Sequence, residues 1–412
     1  MPKCCRYYLR GDFLYSFLQA NKNFRNFWFG QVISQIGDRI HTLAVIWLVY
    51  SWTKSGTALG IVLIAATLPS VLISPWAGAV SDRMNRKHIA IACDASRCLL
   101  VIALAGMAHN NLLNLPVITV MTALVSIASA FFNPATLAMM PSIISAQDLV
   151  RANAITQLSA NASGALGFLL GSGLIAAIGV PAAFLCNGGS FFVSALLIGR
   201  ICYRHIPQSK TISFVADLKD GWNVVQSIPM VARILGPLVV INLLFSSLSV
   251  LIPIFGEGVF KSGSTGVGIL LASYTGGMFL AALVLSSVQV KATMSVLVTS
   301  SLLAVGASFL AMGLIERLPL FIVALILVGL ALNGTNICLI ALFQRVIPGE
   351  TRGKFFSMLT AVSLSAQPIA FGVTGWLSDL VDPAAILLVC GVALLICAGL
   401  IYRITELREQ YV

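Results

Sequence analysis

Charge is what this chain has least of. Only 9% of its 412 residues are Asp, Glu, Lys or Arg, against about 25% in soluble domains. With 58% apolar residues and a mean hydropathy of +0.96, a soluble globular or disordered chain is excluded. Histidines number four, and the nine cysteines form no Cys-x-x-Cys pair. That argues against a resident metal or a disulfide framework. No Gly-Lys-Ser/Thr phosphate loop is present, so ATP is not the expected energy source. No nucleophile–base pair or ligand cluster stands out, and an enzyme is not expected. The first 26 residues are polar and aromatic, without the apolar core and small-residue cleavage site of a secretory leader.

Continuous apolar runs fill the chain instead. A helix crosses a bilayer with about 20 mostly apolar residues, and the alternation of a membrane barrel is missing. Twelve spans are predicted, at 27–50, 57–80, 88–108, 114–139, 150–178, 181–203, 231–255, 265–288, 292–315, 318–345, 353–378 and 383–403. Twenty of the 25 lysines and arginines fall in the tails and in loops on one side. Lys54, Lys261 and Arg317 fall on the other, and Arg39 and Arg97 within spans. Such a bias marks the cytoplasmic side. The net charge of +11 is then a topology signal and not a nucleic-acid footprint. The expectation is a multi-pass protein of the cytoplasmic (inner) membrane, monomeric, with both termini inside and lipid as its surroundings.

The longest polar loop divides the chain. An N-terminal segment (1–26) precedes a six-helix bundle (27–203), a linker (204–230), a second six-helix bundle (231–403) and a tail (404–412). In the linker, Phe214, Leu218, Trp222 and Val225 recur at helical spacing, as in an amphipathic interfacial helix. Arg151 and Arg352 open matching spans, after which Gly164, Gly167 and Gly171 align with Ser365, Pro368 and Gly372. Parallel halves of this kind place a ligand site near the midplane. The glycine stripe permits close backbone approach to a neighbouring helix; packing alone explains it, and a sliding contact between the halves would need the same smooth surface. The fold class is therefore an all-α integral membrane protein with twelve transmembrane helices in two pseudo-symmetric six-helix bundles.

Polar residues inside the spans are the candidate site. Asp38 lies eleven residues past Phe27, about 16 Å into a core about 30 Å thick. A lone carboxylate there costs about 2.5–3.5 kcal/mol, so it is expected to face a cavity or a partner. Gln31, Gln35, Asp38 and Thr42 share one helical stripe, with His41 one turn from Asp38 and Arg39 about 100° away. Arg97 can pair with Asp94 one turn back or reach Asp38. Neutral polar stripes recur in the fourth span (Thr119, Thr122, Ser126, Ser129, Asn133), the seventh (Asn242, Ser246, Ser249) and the tenth (Asn333, Asn336, Gln344). Helix-to-helix hydrogen bonding is the alternative use of these groups.

The charged knot Gly78-x-x-x-Asp82-Arg83-x-x-Arg86-Lys87 joins two of the apolar runs. On it the chain resembles the major facilitator superfamily, whose loop between spans two and three has this pattern. Ser34 to Arg39, Asn133-Pro134-Ala135 with Pro141, Arg151-Ala152-Asn153, Asp217 to Trp222, Arg352-Gly353-Lys354 and Gln367-Pro368 are similar to its macrolide-efflux and enterobactin-export branch.

The resemblance implies a secondary exporter of a drug, macrolide or siderophore-like molecule, working by alternating access and needing no cofactor beyond the proton gradient. It implies a cavity lined by spans one, four, seven and ten, with Asp38, Arg39 and His41 at the coupling or substrate site. It also implies a gating latch from Gly78, Asp82, Arg83, Arg86 and Lys87, with Asp94 as relay and the start of the eleventh span near Gly353 as its target. A plain topology anchor is the other reading of that loop.

Departures are present. Gly167-Phe168 and Gly171-Ser172-Gly173 replace the glycine pairs of drug antiporters, and the fourth span carries no arginine. The Gly37 to His41 stretch is also similar to the first helix of ferroportins, which leaves iron export through Asp38 and His41 as an alternative, with Cys338 as a further ligand. A lysophospholipid flippase is another.

Overall fold

The computed structural model describes residues 11–203, 214–287, 292–408 and 410. Its helices are α1 (Gly11–Ala20), α2 (Lys22–Thr53), α3 (Gly56–Arg83), α4 (Arg86–His109), α5 (Leu115–Ile143), α6 (Leu149–Ile178), α7 (Val180–Gly199), α8 (Phe214–Ser227), α9 (Pro229–Ser246), α10 (Leu248–Pro253), α11 (Gly263–Ser287), α12 (Met294–Leu314), α13 (Leu318–Val346), α14 (Gly349–Leu380) and α15 (Pro383–Tyr402). Twelve segments are long and apolar enough to cross a membrane. They are α2 to α7, the continuous stretch from α9 through α10, and α11 to α15. The fold class read from composition holds. Residues 1–10 of the N-terminal segment and 204–213 of the linker lie outside the described residues.

Helix boundaries follow local chemistry. Ser55, Asn85, Asn114 and Asp382 each accept a hydrogen bond from a backbone N–H in the first turn of α3, α4, α5 and α15, meeting donors that have no intrahelical partner. The seventh span is broken. A short α10 ends at Pro253 and passes into a π-helical turn over Ile254–Val259; a proline removes one ladder bond and tilts the helix. In the N-terminal segment, α1 packs with Phe17 and Leu18 buried. Phe17 meets Phe24 edge-on at 5.5 Å, and the Arg151 guanidinium lies 4.0 Å above its ring.

The linker helix α8 docks on the second half. Lys354 of α14 donates to Asp220 at 2.6 Å, and Val225 is buried while Trp222 is 48% exposed. The predicted apolar stripe is thus split between the protein and its surroundings at these two positions.

Among the described residues the halves pack together through α3 against α14 and α6 against α11. At the end remote from α8, α3 lies so close to α14 that a methyl group on Gly60 would stand 2.6 Å from the Phe371 carbonyl oxygen. Ile46, Tyr50, Leu59, Leu63, Val250, Ile254 and Phe371 form one buried apolar cluster drawn from both halves there. At the linker end, a methyl group added to Gly78 of α3 or Gly353 of α14 would meet nothing within 4 Å outside its own helix.

The glycine stripe of α6 packs closely against neighbouring helices, chiefly within its own half. Gly167 and Gly171 face Arg39 and Ile40 of α2 within the first half, and only Gly164 faces the second half, at Thr275. These glycines admit the bulky side of α2. They are not a surface on which the halves slide.

This asymmetry predicts opposite outcomes for two like substitutions. Gly60→Ala overpacks the α3–α14 contact and destabilises by about 1–3 kcal/mol, whereas Gly78→Ala leaves stability unchanged or raised. Thermal unfolding of the two variants measures the difference, and equal effects would contradict closure at one end.

Candidate functional site

A cavity of about 410 Å³ lies between the halves. From α2 it takes Arg39, Thr42 and Ile46; from α9 and α10, Asn242, Ser246 and Ser249. Tyr274 and Thr275 of α11, Ser301 of α12, Asn333, Thr335 and Asn336 of α13 and Gln367 of α14 complete its polar wall. Phe168, Phe245 and Phe371 are among its apolar surfaces. Its size and mixed lining suit a small organic ligand.

Much of that polar lining is already satisfied. Ser246 donates to the Asn242 carbonyl at 2.8 Å, Thr275 to Leu271 at 2.9 Å and Thr335 to Ala331 at 2.9 Å. Asn333 donates across to the Met278 carbonyl at 2.7 Å. These groups are helix glue that also borders the cavity.

Part of the expected lining borders this cavity and part does not. Thr42, Asn242, Ser246, Asn333 and Asn336 line the cavity, with Arg39 beside them. Gln31, Gln35, Thr122, Ser126, Ser129 and Asn133 do not belong to that wall. Thr122 and Ser126 are buried, and Gln31 Nε2 and Gln35 Oε1 are enclosed without a protein partner. The cause is the rotation of the helices. In the first half, α2 and α5 turn Gln31, Gln35, Thr122 and Ser126 away from the cavity, Asn133 is exposed elsewhere, and Arg39, Thr42 and Ile46 are the residues of α2 that border it. Tyr274, Ser301 and Gln367 were missed because α11, α12 and α14 show no polar stripe long enough to mark a face.

Asp38 and His41 stand off this wall too. Gly37 packs against Ser190 and Asn187 of α7, so the neighbouring Asp38 enters the first-half bundle half-buried. Its carboxylate lies near both Arg97 and Arg39, with the Asn187 amide beside it. His41 is 8% exposed, its ring 5.2 Å from that of Phe184.

Asp94 is corrected as well. Expected to relay charge to Arg83 or Arg86, it is fully buried and forms an ion pair with Arg97 one turn on. The Arg97 guanidinium lies 4.1 Å from the Phe132 ring centre and 4.4 Å from that of Phe191, which is cation–π range. Asp38, Asp94 and Arg97 thus form one cluster behind the cavity wall, two carboxylates to one guanidinium.

The charged loop is held inside the first half. Arg86 donates to Asp82 at 3.2 Å and to the Ala138 carbonyl at 3.1 Å. Lys87 donates to the Gly199 and Ile201 carbonyls at 2.7 and 2.8 Å, capping the C-terminus of α7 where a cation is favoured. Arg83 lies at the end of α3.

The closed end carries a contact that sequence reasoning missed. Asp379, in the last turn of α14, accepts from the Ser55 hydroxyl at 2.7 Å and from the backbone N–H groups of Gly56 and Thr57 at 2.6 and 3.0 Å. A carboxylate of one half therefore caps the N-terminus of a helix in the other. Lys54 reaches Glu257 at 2.8 Å beside it, again between the halves. A lone acid at a span end carries no mark of its role in sequence.

The family model described as "Transmembrane secretion effector", of the MFS group, matches residues 16–411. Macrolide efflux protein A of Streptococcus pyogenes is 26% identical, over 94% of this chain and 96% of that protein. The multidrug efflux pump Tap of Mycobacterium tuberculosis is 23% identical, over 92% of this chain and 93% of its own. In fold, the chain is similar to a bacterial homologue of the human lysosomal transporter Spinster in an inward-facing, unoccupied conformation. The TM-score is 0.71 at 14% identity, covering 94% of this chain and 97% of that one.

Asp379→Asn removes the charge from the cap. Hydrogen bonds to a charged group contribute about 1.5–3 kcal/mol each, so the closed end should open more often. A membrane-impermeant maleimide is expected to label Thr57→Cys about tenfold faster in the Asp379→Asn background. Unchanged labelling would remove Asp379 from the gate.

Proposed function

The chain belongs to the transmembrane secretion effector family of the major facilitator superfamily, and from that membership we propose export of a small organic molecule as its activity. It is a multi-pass membrane transporter; the direction, the coupling and the side assignment are our reading. One observation carries it: a cavity bordered by both halves and closed at the end remote from α8 by residues of both, while the charged loop at the other end pairs within the first half. That is one state of an alternating-access cycle. The bias of Lys and Arg makes the linker end cytoplasmic, so the cavity here awaits cargo from inside. Two relatives named for efflux support the outward direction.

Proton entry drives the cycle in this reading. Asp38 lies half-buried between the cavity wall and the Asp94–Arg97 pair, and intramembrane acids so placed are candidates for proton relay. A proton taken up by Asp38 weakens its attraction to Arg97 and releases α2 from α4 and α7. Cargo and proton then meet through the packing of α2, not by competing within one pocket. The Asp82 loop has the second role. With Asp82 turned to Arg86 it is free to re-pair across the halves when the linker end closes.

Two substitutions test the roles. Asp38→Asn is expected to abolish export driven by a pH gradient in proteoliposomes while the protein remains folded, as read by its unfolding temperature; full proton-driven export would reject the assignment. Asp82→Asn is expected to cut turnover about tenfold with little change in ligand affinity, as loss of a transition-state or gating contact does. Equal losses in both would assign the loop to binding.

A further inference from the structure

We propose that the cavity selects organic anions, and that Arg39 holds the anionic group. This rests on the transport reading and narrows it to a substrate class.

Among the described residues Arg39 is the one charged residue of the cavity lining, and no acid lines it. It sits in the middle of α2, exposed to that space. Its stem packs on α6, where Gly167 leaves room for it: a methyl group there would stand 2.6 Å from the Arg39 Cβ. Its guanidinium lies 5.9 Å from the Phe168 ring centre, and no carboxylate lies within ion-pair distance of it among the described residues. Asp38, next in sequence, is about 100° around the helix and lies near Arg97 as well as Arg39. A guanidinium within a span and with no carboxylate at ion-pair distance among the described residues leaves its forked donors for a carboxylate, sulfonate or phosphate.

The other side of the cavity has the complementary chemistry. Asn336, Gln367, Tyr274 and Ser249 line it with side chains that make no protein hydrogen bond among the described residues. They offer neutral donors and acceptors beside Phe245 and Phe371. A cation would meet a positive field here and find no carboxylate. An anion leaving a cell that is negative inside is also driven outward by the membrane field, which suits export.

The test uses the full chain in lipid nanodiscs and three probes with one skeleton: pyrenebutyrate, 1-pyrenebutanol and pyrenebutylammonium. Thermal stabilisation is titrated against each, with empty nanodiscs as the partition control. Pyrenebutyrate is expected to stabilise at about tenfold lower concentration than the alcohol, and the ammonium not at all. Arg39→Gln should erase the difference between acid and alcohol, and Arg39→Lys should keep part of it. Gln367→Glu, on another helix, should weaken pyrenebutyrate and admit the ammonium, which keeps the test decisive if Arg39→Gln fails to fold.

Equal or tighter binding of the ammonium to the unaltered protein would overturn the proposal. So would an anion preference that survives Arg39→Gln. Because the readout is binding, either result leaves the export reading to its own transport assay, and failure of that assay leaves the charge preference measurable.

Discussion

A bilayer core has no water to solvate a charge, so an ionised group at mid-membrane must find an opposite charge or a hydrated cavity. Asp38, Arg39, Asp94 and Arg97 lie deep within spans, and all four belong to the first half. Asp94 and Arg97 answer the constraint by pairing between two phenylalanine rings. Arg39 answers it by facing the cavity. Asp38, between these two solutions, is tied to both sides and fully committed to neither.

From that constraint follows a division of labour between the halves. The first half concentrates ionisable groups behind its wall and presents a single cation through it. The second half contributes amides, hydroxyls and aromatic rings to the cavity and no charge. Neutral donors cost less to hold in a membrane than ions and can serve many ligands, whereas one fixed charge orients them. The small residues of α6 belong to the same arrangement: Gly167 and Gly171 let α2 lie close enough for Arg39 to emerge from the helix interface.

Closure at one end is a backbone matter. Gly60 brings α3 against the Phe371 carbonyl, and Asp379 then caps the exposed N–H groups of the neighbouring helix start. Neither half could satisfy those donors as strongly alone. At the linker end the charged loop satisfies itself within the first half through Arg86 and Lys87. One end is therefore fastened by groups that belong to different halves, and the other is left free.

Length and hydropathy alone determined the twelve spans, the division at the linker and the membrane class, because roughly 20 apolar residues in a row admit few other structures. The spacing of Gly78, Asp82, Arg83, Arg86 and Lys87 identified the superfamily, and the cost of a lone acid drew notice to Asp38. Tertiary structure alone decided the direction each helix faces. In a soluble helix the apolar stripe points to the core, but here lipid and core are both apolar. Leu99 at 71% exposure and Val101 at 0% look alike in sequence. Gln31, Gln35, Thr122 and Ser126 were therefore read as cavity lining when they turn inward, and Gln367 was overlooked when it turns to the centre. The i, i+3 spacing offered Arg97 to Asp94 in advance, but the partners of Asp379 were hidden: a charge in sequence states its need for an opposite group, and only the packed helices show which group meets it.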